Sequence, residues 1–161
     1  MFDEKPNLPL DESFNEAVLV IAGKLVPQYV VSDDAPGTFR ALKEHLDAGK
    51  TLVVAAAGSD YTVFGTPEVN WAFRAWHDWV HWRFEYDFSL PGEAATCSKQ
   101  IEHLYTYFPG SPHLERWSRL LVAEVIGQRQ YYERHRAYVD DQRAFAVAYI
   151  ANGPAILGQR W

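Results

Sequence analysis

Two imidazoles four residues apart on one helix can grip a single metal ion, and residues 77–81 read His77-Asp78-Trp79-Val80-His81. At about 100° per residue, Asn70, Arg74, His77, His81 and Glu85 fall on one narrow stripe, with Asp78 at its edge. Trp, Phe, Val and Ala fill most of the remaining circumference. An ordinary surface helix has a broad polar face rich in Lys and Glu. This pattern instead predicts a central helix packed on several sides, its polar stripe lining a pocket built for metal or acid-base chemistry.

Carboxylates on later helices strengthen that expectation. Glu93 lines up with Cys97, Gln100, Leu104 and Tyr107, and Glu124 with Trp117, Leu120, Gly127, Gln128, Tyr131 and His135. Both lie on apolar faces. Burying an ionised carboxylate costs several kcal/mol unless a cation or several donors meet it. A divalent ion such as zinc, manganese or nickel between His77 and His81 would supply the cation. The expected ligands are His77, His81 and Glu124, with Asp78 as ligand or base and Glu93 as an acid-base group. Arg74 and Gln128 are the expected substrate contacts. The competing reading is a buried polar network in a noncatalytic helical protein, whose aromatic surface binds a partner or a second copy of itself.

The elements that must position these residues follow from caps and breakers. Asp11 or Ser13 opens a helix ending near Val26, where Pro27 stops it. Residues 29–32 are extended, and Pro36-Gly37 starts a short helix through Ala48, closed by Gly49 in the left-handed position. Residues 51–57 read as a strand and 58–60 as a turn. Residues 61–64 are the expected partner in a small β-hairpin. Thr66 and Pro67 open the Trp-rich helix, which fades near Asp87. Pro91-Gly92-Glu93 starts a helix to about Phe108, and Ser111-Pro112 opens the longest, to about His135. Asp140 or Asp141 caps a last helix to Ala151, broken by Asn152-Gly153-Pro154. The expected fold is mainly α: one helical domain over 1–161, a bundle of about five to six helices with a small hairpin. Residues 1–10 form an irregular N-terminal segment and 154–161 a tail.

Composition narrows the function classes. At 161 residues the chain can bury a core without staples, so a metal here would be functional rather than needed for folding. A net charge of -6 and a pI near 5.4, with no basic run, argue against nonspecific nucleic-acid binding. The apolar runs are too short or too interrupted to span a membrane. One cysteine, Cys97, and an acidic, proline-bearing start without a signal pattern suit the cytoplasm. Six Trp, nine Tyr and nine Phe, mostly between Trp71 and Tyr149, predict an aromatic core or pocket.

The His77-Asp78-x-x-His81 stretch resembles the HD-type metal-dependent phosphohydrolases, all-helical enzymes of which some carry an HDxxH stretch followed by Gly-Glu. The resemblance implies His77 and Asp78 as metal ligands, and His81 and Glu93 (after Gly92) as acid-base groups. It implies flanking ligands at His45 and at Asp140 or Asp141, and a phosphoester or nucleotide as the small-molecule substrate. The stretch is also similar to zinc peptidases of the HExxH type, with Glu124 as a distant third ligand and Asp78 in the place of the glutamate base. Residues 73–93, 124–128 and Asp141-Gln142-Arg143 together resemble small helical proteins of bacteriophages and their hosts.

Overall fold

The computed structural model describes residues 7–161, so residues 1–6 of the expected irregular N-terminal segment lie outside the described ones. The chain order is α1 (Glu12–Leu25), β1 (Tyr29–Val31), α2 (Phe39–Asp47), β2 (Leu52–Val54), α3 (Pro67–Phe84) and α4 (Leu90–Tyr107). Next come α5 (Leu114–Val122), a π-helical turn (Ala123–Gly127), α6 (Gln128–His135), α7 (Gln142–Asn152) and a 3-10 turn (Gly153–Gly158). Because α5, the π turn and α6 run on without a break, the described residues form six helical rods, and the fold is mainly α.

The starts and stops obey the local chemistry. The Asp11 carboxylate accepts the Phe14 N–H and opens α1; it also takes Arg116 Nε at 2.5 Å, tying α1 to α5. Thr38 caps α2, and Gly49, at φ 73°, follows it in the left-handed region. Thr66 precedes Pro67 at the first position of α3, and Asp141 caps α7 through Ala144 N–H.

The small sheet differs from the expected hairpin. β1 and β2 pair in parallel, in the register Tyr29 with Leu52, Val30 with Val53 and Val31 with Val54, and α2 makes the crossover. Residues 61–64 form no strand. They belong to a packed loop in which Arg143 donates to Thr62 O at 3.1 Å and Leu10 N–H to Val63 O at 2.9 Å. Parallel strands need a crossover of about a dozen residues, whereas the chemistry of 58–60 suits a tight turn equally well inside a loop. The expected C-terminal tail is also structured: Ile156 and Leu157 are buried, and Trp161 donates to Ile156 O at 3.1 Å.

The core is built around α3, which packs on α1, α2, α4 and β2. Its Ala72, Phe73, Trp76 and Val80 join Phe14, Val18 and Ile21 of α1 and Leu104 of α4 in the main apolar cluster. Ala75 faces a second cluster with Val26, Leu42, Leu52 and Val54. With apolar packing on both sides, α3 can carry only a narrow polar stripe. Among the described residues no helix is long and apolar enough to cross a membrane.

Candidate metal centre

The stripe on α3 has three fates. At its N-terminal end Asn70 is buried and donates to Ser59 Oγ at 2.8 Å. Arg74 reaches the loop after β2, where Nη1 donates to Ala55 O at 2.6 Å and to Ala57 O at 2.7 Å. Arg74 therefore clamps a loop; it does not line the cavity described below, where it was expected to meet substrate. At the far end Glu85 leaves the helix in the left-handed region and pairs with Lys43. Only His77 and His81 turn into the interior as a pair.

The turn between α3 and α4 brings Glu93 to them. Tyr86 N–H donates to His81 O at 3.0 Å, and His81 Nδ1–H donates to Tyr86 O at 2.7 Å, so the turn is laced to the histidine from both sides. Asp87 Oδ1 then accepts from Ser89 N–H and Ser89 Oγ, and Ser89 Oγ accepts the Gly92 N–H at the start of α4. Asp87 lies so close to α4 that a Cβ on Gly92 would run into its carbonyl. Glycine at 92 thus permits the approach that sets Glu93, one residue on, beside the histidines.

Three ligand atoms converge. His77 Nε2 lies 3.0 Å from Glu93 Oε2, His81 Nε2 lies 3.2 Å from the same oxygen, and the two Nε2 atoms are 3.0 Å apart. Donors sharing one ion at about 2.0–2.1 Å stand about 3.0–3.4 Å from one another, depending on coordination number. His77, His81 and Glu93 are the group of His, Cys and carboxylate side chains that meets this demand among the described residues.

Hydrogen bonds behind the rings fix which nitrogen is free. His77 Nδ1 donates to Gln100 Oε1 at 2.9 Å, and His81 Nδ1 is held by Tyr86 O with Thr96 Oγ1 at 3.2 Å. Each neutral ring then presents a lone pair at Nε2, which is how metal-binding histidines are normally oriented. Lone pairs on two nitrogens and one carboxylate oxygen, all within 3.2 Å, repel unless a cation or proton lies among them. Phe73 supports the His77 ring from below, centroids 6.0 Å apart.

The electrostatics agree. Burial alone would push the His77 imidazolium down, but the charge and hydrogen bond of Glu93, helped by Asp78 and Gln100, lift it to about 9. Burial likewise pulls Glu93 upward, and the two histidines overcome it and hold the carboxyl at about 2. The site attracts positive charge. Asp78 is half-buried and does not line the cavity. Burial raises its carboxyl, and the neighbouring histidines only partly offset this.

His77 and Glu93 open onto a cavity of about 410 Å³, while His81 is fully buried behind them. Glu124, Gln128, Arg129, Tyr132 and Tyr138 line the same cavity. Glu124 thus shares the cavity lining with His77 and Glu93 but is not one of the clustered ligands, and Glu93 takes the place expected of it. The π turn carrying Glu124 widens the helix, a distortion frequent at functional sites. Gly127 in the same turn lets α7 come close: a Cβ there would lie 3.0 Å from the Tyr149 ring. Burial raises the Glu124 carboxyl to about 8, against the Gln128 amide and the Arg74 charge.

The other histidines and aspartates serve elsewhere. His45 donates to Thr51 O at 2.6 Å, His103 accepts from Trp76 Nε1 at 3.1 Å, and Asp141 caps α7. The flanking ligands implied by the phosphohydrolase resemblance, His45 and Asp140 or Asp141, do not join the cluster. No protein family, curated protein or solved structure matches the chain.

Proposed function

We propose that the protein is a metal-dependent hydrolase in which His77, His81 and Glu93 hold one divalent ion, zinc or manganese in the first instance, and Glu124 acts from the same cavity lining. The observation that carries this reading is the pair of Nδ1 hydrogen bonds, to Gln100 and Tyr86, that aims both Nε2 lone pairs at Glu93 Oε2. Two histidines and one carboxylate leave coordination positions free on the cavity side, where water or substrate can bind. An ion so held lowers the pKa of its water toward 7 and makes hydroxide available.

The substrate class is a phosphoester, the class that the HDxxH resemblance implies. With the ion bound, the hydroxide it supplies would add to phosphorus as the bond to the leaving oxygen breaks. The neutral Glu124 carboxyl donates its proton to that oxygen and is reprotonated from solvent. A carboxyl titrating near 8 is well placed for this, since an acid works best close to the operating pH. Asp78 supplies negative charge beside the triad. A reducing compartment such as the cytoplasm suits the single buried Cys97.

The test is turnover of a phosphoester panel by zinc- and manganese-loaded wild type, Glu93→Gln and Glu124→Gln. Wild type is expected to turn over at least one substrate, with both variants slower by about 10² or more and only Glu93→Gln losing the ion. An ion bound stoichiometrically with no turnover on any ester overturns hydrolysis and leaves a metal-binding protein.

A further inference from the structure

Tyr138 is 81 % exposed, the most exposed large apolar side chain among the described residues, and it lines the same cavity as His77 and Glu93. Its backbone is not loose. Arg136 closes α6 in the left-handed region with its N–H on Tyr132 O at 2.8 Å, Val139 is buried, and Asp140 N–H donates to Trp161 O at 2.8 Å. The chain is pinned on both sides, and the ring projects from between the pins.

One side of that ring is backed. Tyr132 lies beneath it, ring centroids 5.0 Å apart and 32° from parallel, and the Arg129 guanidinium sits 5.5 Å from the Tyr132 centroid. Arg129 is in turn held by Glu133 at 2.5 Å. Arg129, Tyr132 and Tyr138 therefore form an anchored stack that ends in an aromatic ring offered to the cavity mouth. Leaving such a ring in water forgoes the stabilisation an aromatic partner provides, and a cavity of about 410 Å³ is of the size that small-molecule sites use.

Resting on the metal-dependent reading above, we propose that Tyr138 is the stacking platform for a planar aromatic or heteroaromatic ring on the substrate, and that the site takes aryl-type rather than alkyl phosphoesters. The phosphoryl group lies toward His77 and Glu93, and the ring lies on Tyr138 at the mouth. Specificity then comes from α6 and the segment after it, not from the metal ligands on α3 and α4.

Phenylphosphonate and methylphosphonate share a head group that hydrolysis does not cleave and differ in the ring. Their dissociation constants are measured by calorimetry on zinc-loaded wild type, Tyr138→Ala and Tyr138→Phe, with the zinc content of each sample determined separately. Expected is about a fivefold to tenfold preference for phenylphosphonate in wild type, kept in Tyr138→Phe and lost in Tyr138→Ala. Because Tyr138 is so exposed, both variants retain the fold. Equal binding of the two probes, a preference surviving in Tyr138→Ala, or no binding of either by zinc-loaded protein overturns the ring subsite and leaves the metal centre standing. A Tyr138-dependent preference in protein that holds no zinc supports the subsite and overturns the metal centre.

Discussion

His77 Nε2 and His81 Nε2 face each other at 3.0 Å, with Glu93 Oε2 within 3.2 Å of both. His81 cannot relieve this by changing tautomer without giving up the hydrogen bond that its Nδ1–H donates to Tyr86 O, and His77 cannot do so without the Gln100 amide turning over. The arrangement therefore calls for a positive charge between the three atoms, and the consequences can be measured.

Gln100 touches no ion, yet it fixes the His77 ring. Replacing it in Gln100→Leu keeps the volume and removes the acceptor for Nδ1. Zinc affinity is expected to fall about tenfold to a hundredfold, the usual effect of losing such a partner. A competitive titration against a chromophoric chelator measures it.

Protons and metal compete for the same atoms. In the metal-free protein the His77 shift, from 6.5 up to about 9, contributes stability that is complete below pH 6.5 and disappears as pH rises through 9. The Glu93 shift, from 4.5 down to about 2, contributes stability that is complete above pH 4.5 and disappears as pH falls through 2. Metal requires both histidines unprotonated, so its binding releases a proton and strengthens with pH. Melting curves with and without zinc should show a larger rise in Tm at pH 8 than at pH 6.

Glu124 behaves in the opposite sense to Glu93. Its carboxyl is raised from 4.5 to about 8, so its contribution is complete below pH 4.5 and is lost as pH climbs through 8. Glu124→Gln is therefore expected to melt higher than wild type at pH 8.5 and nearly level with it at pH 4. Its metal content should be unchanged, because Glu124 lies outside the ligand cluster. Thermal melts across pH, paired with elemental analysis, check both statements.

Two glycines should respond with opposite signs. At Gly92 a methyl group meets the Asp87 backbone, which cannot move without loosening the α3–α4 turn. Gly92→Ala is expected to cost about 1–3 kcal/mol and to weaken metal binding. Gly23, inside α1, has nothing within 4 Å of a built Cβ and no left-handed requirement. Gly23→Ala is expected to gain about 0.5–1 kcal/mol. Denaturant unfolding measures each.

Much of the frame is legible in the sequence because caps and breakers act locally. Asp11, Asp141, Pro67 and Gly49 mark helix ends whatever the rest of the chain does, whereas α2 starts after Thr38 rather than at the expected Pro36-Gly37. The pairing of β1 with β2 is not local. Strands of three residues carry too little alternation to show their partner, and residues 58–64 are used by Asn70 and Arg143 rather than by a hairpin.

The site divides along the same line. That His77, His81, Glu93 and Glu124 point inward follows from periodicity, and the structure places His77, Glu93 and Glu124 in the lining of one cavity with His81 fully buried beside them. Which carboxylate meets the histidines depends on the turn between α3 and α4. Projection at 100° per residue does not include that turn, nor the π turn that alters the helix around Glu124. The Gly92-Glu93 pair next to Asp87 and Ser89 was the available signal. Arg74, read as a substrate contact from its place on the stripe, is taken up by three backbone carbonyls that only the folded loop supplies.

The most direct measurement is elemental analysis of protein purified without an affinity tag, followed by titration of zinc and manganese into wild type, His77→Ala and Glu93→Gln. One ion per chain in wild type, lost in both variants and kept in Glu124→Gln, is the expected result. No ion bound at any concentration, with Tm unmoved by zinc from pH 6 to pH 8, would mean that a proton shared among His77, His81 and Glu93 supplies the positive charge, and the metal centre would fall.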